Sequence, residues 1–358
     1  MDLKERLSAK LKGLSAGSMA TRRVVLLPDC YVDRLIYVKD PLPDFLELIR
    51  KTALSGGGAI HGYPQEEVRG GNAANTAAAL ASLGFKPVLI CVTDTYGKRV
   101  MEEFFKGSGV RLRVKEGRGC SMTVSFEIPT ERGHVNVMFG YPGPLADFGP
   151  EALDEDDLKL IREAEVLGLF NWARNVNKGT ELFESVGSYF KREGAGVLYA
   201  DMADPSARAK ELPTFIERVL LPRLVDYLSL NEKEASDLCK AASGREAVEK
   251  PLDAALELSE ILGINIVFHT VDYSSLLARG EVKAVVPAFR VRTLKATGAG
   301  DVFNAGFMAG LLLGLSPEES LLMGNACAGY YLSKGRTPTL SELTEFLASA
   351  KLKGGEGS

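Results

Sequence analysis

The chain has 358 residues, 46% of them hydrophobic and 25% charged, enough to bury a large core in one big α/β domain, with or without a small accessory layer, or in two domains. A net charge of −4 offers no basic field for nucleic acid or an anionic membrane surface, and no run reaches the roughly 18 uninterrupted apolar residues of a membrane span. The isolated Cys30, Cys91, Cys120, Cys239 and Cys327 lack CxxC spacing, which fits buried free thiols in a reducing compartment better than disulfides or zinc.

Residues 1–23 interrupt their leucines with Lys4, Glu5, Lys10 and Lys12. They read as a short amphipathic helix or a frayed extension rather than a secretory leader, so a cytoplasmic setting is expected. Residues 24–27 are an all-apolar run, fit for a strand buried on both faces. Asp29 and Asp33 follow it, at the edge of a parallel sheet where ligands collect. For Asp29 a turn or cap role competes. Residues 45–50 suggest a helix, whereas 55–58 and 61–64 read as loop.

The next stretch runs from Arg69-Gly70-Gly71-Asn72 through an alanine-rich run to Leu83-Gly84. It predicts a helix stopped by Gly84, with a glycine pair that lets backbone approach a ligand. Gly-Gly as a plain turn and Asn72 as a cap would explain the same residues. Residues 87–92 form the next buried strand and 101–105 a helix, and this alternation predicts a parallel α/β arrangement. From Val110 the period becomes two over 110–115, 121–128 and 134–139, which predicts a separate, half-exposed sheet.

The α/β pattern then returns, with strands over 166–170, 197–200, 227–230 and 264–268. Asn171 to Arg174, Asp204 and Arg208, and Asn231 with Glu234 follow three of these strands. The spacing of Asn231 and Glu234 suits a capping box and equally puts both on one face of a helix start. The final motif is Thr297-Gly298-Ala299-Gly300-Asp301. Three residues almost without side chains at a helix start can turn their N–H groups and the positive end of the helix dipole toward an anion. A carboxylate on the same turn is wasteful electrostatically, unless it removes a proton while charge builds on a transferred group. That combination reads as phosphoryl transfer. There is no GxxxxGK[ST], no GxGxxG after the first strand and no HExxH, which weighs against a P-loop NTPase, a dinucleotide dehydrogenase and a zinc protease.

Two of these stretches carry a family likeness. Gly298-Ala299-Gly300-Asp301 with Phe303 and Gly306, and Gly70-Gly71 with Asn75 and Leu83-Gly84, resemble the two end motifs of the ribokinase-like (PfkB) carbohydrate and nucleoside kinases. The resemblance covers about residues 24–350 and is weaker in the middle, at Asp94 with Gly97 and at Asn231 with Glu234. It implies a three-layer α/β/α fold with a mostly parallel central sheet and a small, non-contiguous β-sheet lid over about 31–40 and 110–140. It also implies a homodimer formed through the lid; residues 351–358 are expected to be a disordered tail.

By the same resemblance Asp301 is the catalytic base and Gly298, Ala299 and Gly300 form an anion hole. Asp33, Gly70, Gly71 and Asn75 bind the acceptor. Asn231, Thr270 and Asn325 lie at the nucleotide, and Glu234 holds Mg²⁺ through water. ATP is the implied donor, with ADP open. The chain departs from the pattern at Asp272 and Ser275, where glycines are expected, and at Lys295-Ala296, which replaces an Asp-Thr pair.

The expected activity is transfer of a terminal phosphoryl group to a hydroxyl of a sugar or sugar-containing small molecule. Alternatives are a nucleoside kinase, a phosphosugar kinase using Arg69, Arg174 or Arg208 for a second phosphate, and a non-catalytic sugar-binding regulator.

Overall fold

The computed structural model describes residues 2–14, 16–130, 133–244 and 250–354. Its strands, in chain order, are β1 (Val24–Leu27), β2 (Tyr31–Tyr37), β3 (Gln65–Gly70), β4 (Val88–Thr93), β5 (Arg111–Glu116), β6 (Met122–Thr130) and β7 (Gly133–Tyr141). They continue as β8 (Val166–Phe170), β9 (Val197–Asp201), β10 (Tyr227–Leu230), β11 (Asn265–His269), β12 (Tyr273–Ala278) and β13 (Glu281–Pro287).

Nine of these strands form one sheet in the order β13-β12-β11-β10-β9-β8-β1-β4-β5. It is parallel from β11 to β5 and antiparallel only where β12 and β13 are added. Every residue of β1 and β8 is buried, because helices cover both faces; this is why these strands read as unbroken apolar runs. The two faces hold separate hydrophobic clusters, one including Leu26 and Phe303, the other Leu27 and Trp172. The fold is thus the expected α/β architecture, with a large, mostly parallel sheet and a smaller second sheet.

The smaller sheet has the order β3-β2-β6-β7, with β2 and β6 parallel and its outer strands antiparallel to them. Its membership corrects the sequence reading in two places. The stretch 110–115 does not join it: β5 runs parallel to β4 at the edge of the large sheet, from Val88↔Arg111 to Thr93↔Glu116. An edge strand has one neighbour and tolerates charge, so its alternation mimics that of a half-exposed sheet. Here Arg113 and Lys115 pair with Asp154 at 2.9 and 2.5 Å. The second correction is β3, whose charged Gln65-Glu66-Glu67 start hides a strand at the other sheet's edge. The helix Leu42–Leu54 packs Phe45 against Val38, Ile128 and Phe126 on this sheet's outer face.

The N-terminal stretch resolves as an amphipathic helix, Leu3–Lys12, with Leu7 and Leu11 buried in the main core. The C-terminal stretch is partly a correction. Lys351 and Lys353 pair through their backbones with Arg290 and Ala288, so the expected tail begins ordered; residues 355–358 lie outside the described residues. All five cysteines are buried and none is in a disulfide. Among the described residues no helix is long and apolar enough to cross a membrane.

Candidate active site

The site grows from the carboxyl ends of the parallel strands. Asp29, just past β1, is fully buried. Its carboxylate accepts hydrogen bonds from the N–H groups of Asn72 (2.8 Å) and Ala73 (2.9 Å), which open the helix Asn72–Ser82, and from Asn171 Nδ2 (2.8 Å). Asp29 is therefore the cap of that helix, and burial raises its carboxyl's proton affinity. Asn72 is not the cap. It is the first residue of the helix, and its side chain is free to work elsewhere.

The two glycines before it have distinct jobs. Gly71 sits at φ +97°, and a Cβ there would press on the Asp29 carboxylate and the Cys30 backbone. A Cβ on Gly70 would overlap the Asp33 carboxylate. Together they let the end of β3 close down on the two aspartates that follow β1.

Asn72 and Asn75, three residues apart and so on one helix face, reach across to Asp301. Asn72 Nδ2 donates to Asp301 Oδ1 and Asn75 Nδ2 to Oδ2, each at 2.9 Å. Asp301 stands in the first turn of the helix Ala299–Leu312, capped by Gly298 at φ +87°. The N–H of Ala299 donates to the Ala296 carbonyl at 3.1 Å, so Ala299 is already engaged. The N–H groups of Gly300 and Asp301, which have no acceptor inside the helix, face out of its end. Burial drives the Asp301 carboxyl well above the usual carboxylate range; the Asn75 amide opposes this, Asp201 and Asp29 add to it, and the Asn72 amide opposes it too.

One turn further on, Asn304 is fully buried. It donates to Asp201 (2.6 Å) and accepts from Tyr199 (2.6 Å) and Ser229 (2.7 Å). This network bolts the helix to β9 and β10 and thereby fixes Asp301. Sequence reasoning passed over Asn304 and the reach of Asn72. The available signal was a lone amide three residues after Asp301 in an otherwise apolar helix.

A cavity of about 1200 Å³ lies between the smaller sheet and the loop before Gly298; Asp33, Arg69, Asn75, Lys295, Gly298 and Tyr331 are among its lining residues. Asp33 Oδ1 is buried there without a partner. Burial pushes this carboxyl up to about 6; the Thr123 hydroxyl opposes the shift, Asp29 adds to it and Lys295 opposes it.

The remaining expected residues stand apart. Asn231 and Glu234 form a reciprocal capping box with both bonds at 3.0 Å. Burial, then Asp201, raises the Glu234 carboxyl to about 8. Thr270 Oγ1 accepts from the N–H groups of Asp272 (3.0 Å) and Tyr273 (3.1 Å) in a tight turn. Asn325 donates to the carbonyls of Val286 (3.0 Å) and Pro287 (3.1 Å). Asp272 pairs with Lys353 at 3.0 Å, and Ser275 is buried within β12. Among the described residues no group of three or more His, Cys, Asp or Glu side chains is placed to hold a metal ion. Arg208 is buried, lies 3.9 Å over the Trp172 ring and donates to the Trp172 and Asn175 carbonyls, so it has no capacity for a second phosphate. Arg174 is exposed and does not line the cavity.

A two-sheet α/β fold with a carboxylate at a glycine-capped helix start, bonded to Asn75 of the cavity lining, is the architecture of a class of small-molecule phosphotransferase. The pfkB carbohydrate kinase family profile matches residues 47–342, and the chain belongs to that family. It is 28% identical over 304 residues to a 5-dehydro-2-deoxygluconokinase of Shouchella clausii, covering 80% of this chain and 90% of that one. It is 26% identical over 353 residues to a ribokinase of Arabidopsis thaliana, covering 96% and 88% respectively. The crystal structure of adenosine kinase from Sinorhizobium meliloti superposes with a TM-score of 0.71 at 21% identity, covering 91% of this chain and 98% of that one; this likeness is one of fold.

Proposed function

We propose that the protein transfers the terminal phosphoryl group of a nucleotide to a hydroxyl of a sugar or sugar-containing small molecule. The observation that carries the reading is Asp301, its two oxygens aimed by the Asn72 and Asn75 amides at the start of a glycine-capped helix. A buried carboxylate whose proton affinity is raised is suited to accept the acceptor's hydroxyl proton near neutral pH. The outward N–H groups of Gly300 and Asp301, with the helix dipole behind them, hold charge developing on the transferred group. Asp33 Oδ1 accepts from acceptor hydroxyls, and Gly70 keeps that carboxylate in place. The smaller sheet covers the cavity and keeps out water that would compete for the phosphoryl group.

ATP is the donor in this reading, and Mg²⁺ fits the residues present. Asp201 is near enough to Glu234 to raise its proton affinity, and Mg²⁺ needs only one or two carboxylates when it keeps its waters. Glu234 would hold it through water; the ion would supply neutralisation of charge on the donor phosphates. The names of the sequence relatives support a sugar-type acceptor over a nucleoside. The outer face of the smaller sheet is apolar, which supports a homodimer formed through it.

The test is product formation from ATP and, separately, ADP with Mg²⁺ across sugars, phosphosugars, sugar acids and nucleosides. Turnover of one acceptor is expected, with Asp301→Asn lowering kcat about 10²–10⁴-fold while acceptor binding persists. An unchanged rate in Asp301→Asn would overturn the base assignment. Binding without turnover in the unaltered protein would favour the sugar-binding regulator.

A further inference from the structure

We infer that the acceptor carries an anionic group, a carboxylate or a phosphate, and that Arg69 and Lys295 receive it. The inference rests on the kinase reading only in calling the ligand an acceptor.

The groups lining the cavity divide into those already engaged and those that are not. Glu66 accepts from the Tyr37 hydroxyl, Glu67 pairs with Arg34, and Glu127 accepts from Ser125. Arg336 is held by Glu342 at 3.0 Å, and Arg292 is exposed at the rim. Three charged side chains remain: Asp33, with one buried oxygen unpartnered, Arg69 and Lys295.

Arg69 extends from β3, opposite Val32. Its guanidinium lies 5.3 Å from the Phe105 ring centroid, and among the described residues its one hydrogen bond runs from Nε to Asn75 Oδ1 at 3.3 Å. Among the described residues its two terminal amino groups have no acceptor. Asp301 is an electrostatic neighbour of Arg69, but its carboxylate is held by the asparagine amides and forms no hydrogen bond with the guanidinium among the described residues. Burial lowers the Arg69 pKa, and Tyr331 and Asp301 oppose the shift.

Lys295 lines the same cavity, its Nζ 5.7 Å from the Tyr331 ring centroid, and makes no ion pair among the described residues. Tyr331 is held in turn by its bond to the Thr297 carbonyl at 2.8 Å. Two cations thus line a cavity whose unsatisfied carboxylate oxygen asks for hydroxyls. A neutral sugar would satisfy Asp33 and leave the desolvated Arg69 guanidinium without an acceptor for its terminal amino groups, an arrangement that disfavours its binding. A polyhydroxylated acid answers all three groups. The planar fork of Arg69 matches a carboxylate or a phosphate, and Lys295 adds a point charge.

The experiment compares matched acceptors with the full-length protein, ATP and Mg²⁺: gluconate against sorbitol, and fructose 6-phosphate against fructose. The expected result is a kcat/KM at least about tenfold higher for the anionic member of one pair, the effect of a charge-assisted hydrogen bond. Which pair responds distinguishes carboxylate from phosphate. In Lys295→Met and Arg69→Met that ratio should collapse about tenfold or more, mostly through KM. Lys295→Met, in a surface loop, keeps the test open if Arg69→Met fails to fold. Equal use of neutral and anionic members, or an unchanged ratio in both variants, would overturn the inference. If no compound is phosphorylated, the kinase reading fails separately, and calorimetric binding of the same pairs decides. Preferential binding of the acid, lost in Lys295→Met, supports the anion site, and no preference refutes it.

Discussion

Asp33 shows how a single buried group can serve binding at the expense of stability. It lies beneath β3 with one oxygen unpartnered, and burial lifts its carboxyl from the ordinary 3.8 to about 6. A raised carboxylate pKa means the folded protein binds the proton more tightly than the unfolded chain. The contribution of Asp33 to stability therefore falls as pH rises through the window from about 4 to about 6. Recognition of hydroxyls needs the ionised form, so kcat/KM for the acceptor should climb through that same window. Asp33→Asn should separate the two. Its melting temperature relative to the unaltered protein should increase between pH 4 and pH 7, while acceptor kcat/KM drops about tenfold or more at pH 7. A stability difference that stays flat with pH would show that Asp33 titrates normally.

At the scale of elements, the site is a junction of two helix starts, and one carboxylate holds the first of them. Asp29 accepts from the Asn72 and Ala73 N–H groups and from Asn171, so Asp29→Ala leaves three buried donors without an acceptor. The expected loss is about 2–4 kcal/mol of unfolding free energy, measured by urea titration, with kcat falling as well because the same helix carries the amides that aim Asp301. A loss below about 1 kcal/mol would mean water replaces the cap. Much of this junction was legible in the sequence: the Gly70-Gly71 pair and the Gly298-Ala299-Gly300-Asp301 turn both mark helix starts that need backbone without bulk. What escaped was long range. That Asn72 serves Asp301, 229 residues away, and that Asn304 bolts the second helix to β9 and β10 depend on which strands become neighbours, and no local pattern records that. Asn231 and Thr270 show the converse: local chemistry, a cap and a turn, accounts for the bonds they make.

For the whole molecule, the large sheet was readable because strands buried on both faces are continuous apolar runs, whereas the smaller sheet was readable in existence but not in full membership, because its edges and those of the large sheet share a period of two. That smaller sheet also leaves an apolar surface uncovered. Val137, Phe139 and Tyr141 alternate along β7, 46%, 65% and 64% exposed, on the face where Phe139 meets Phe126. Leu46, Ile49 and Leu54 of the helix Leu42–Leu54 are exposed as well. β7 is an edge strand of its sheet, so apolar side chains and unpaired backbone groups coincide there, a combination that invites pairing unless something covers it. A second copy of the chain is the partner the proposed dimer requires, and the same face on each copy would meet across a two-fold axis. Sedimentation velocity at micromolar concentration should then report about twice the 38.6 kDa chain mass. Phe139→Asp, which places a charge at the centre of the covered face, should release the monomer without lowering the melting point of the large domain. Because the inner face of the same sheet roofs the acceptor cavity, the monomeric variant should also show a raised KM for the acceptor. A monomer in the unaltered protein would leave this face without its proposed partner and refute the dimer.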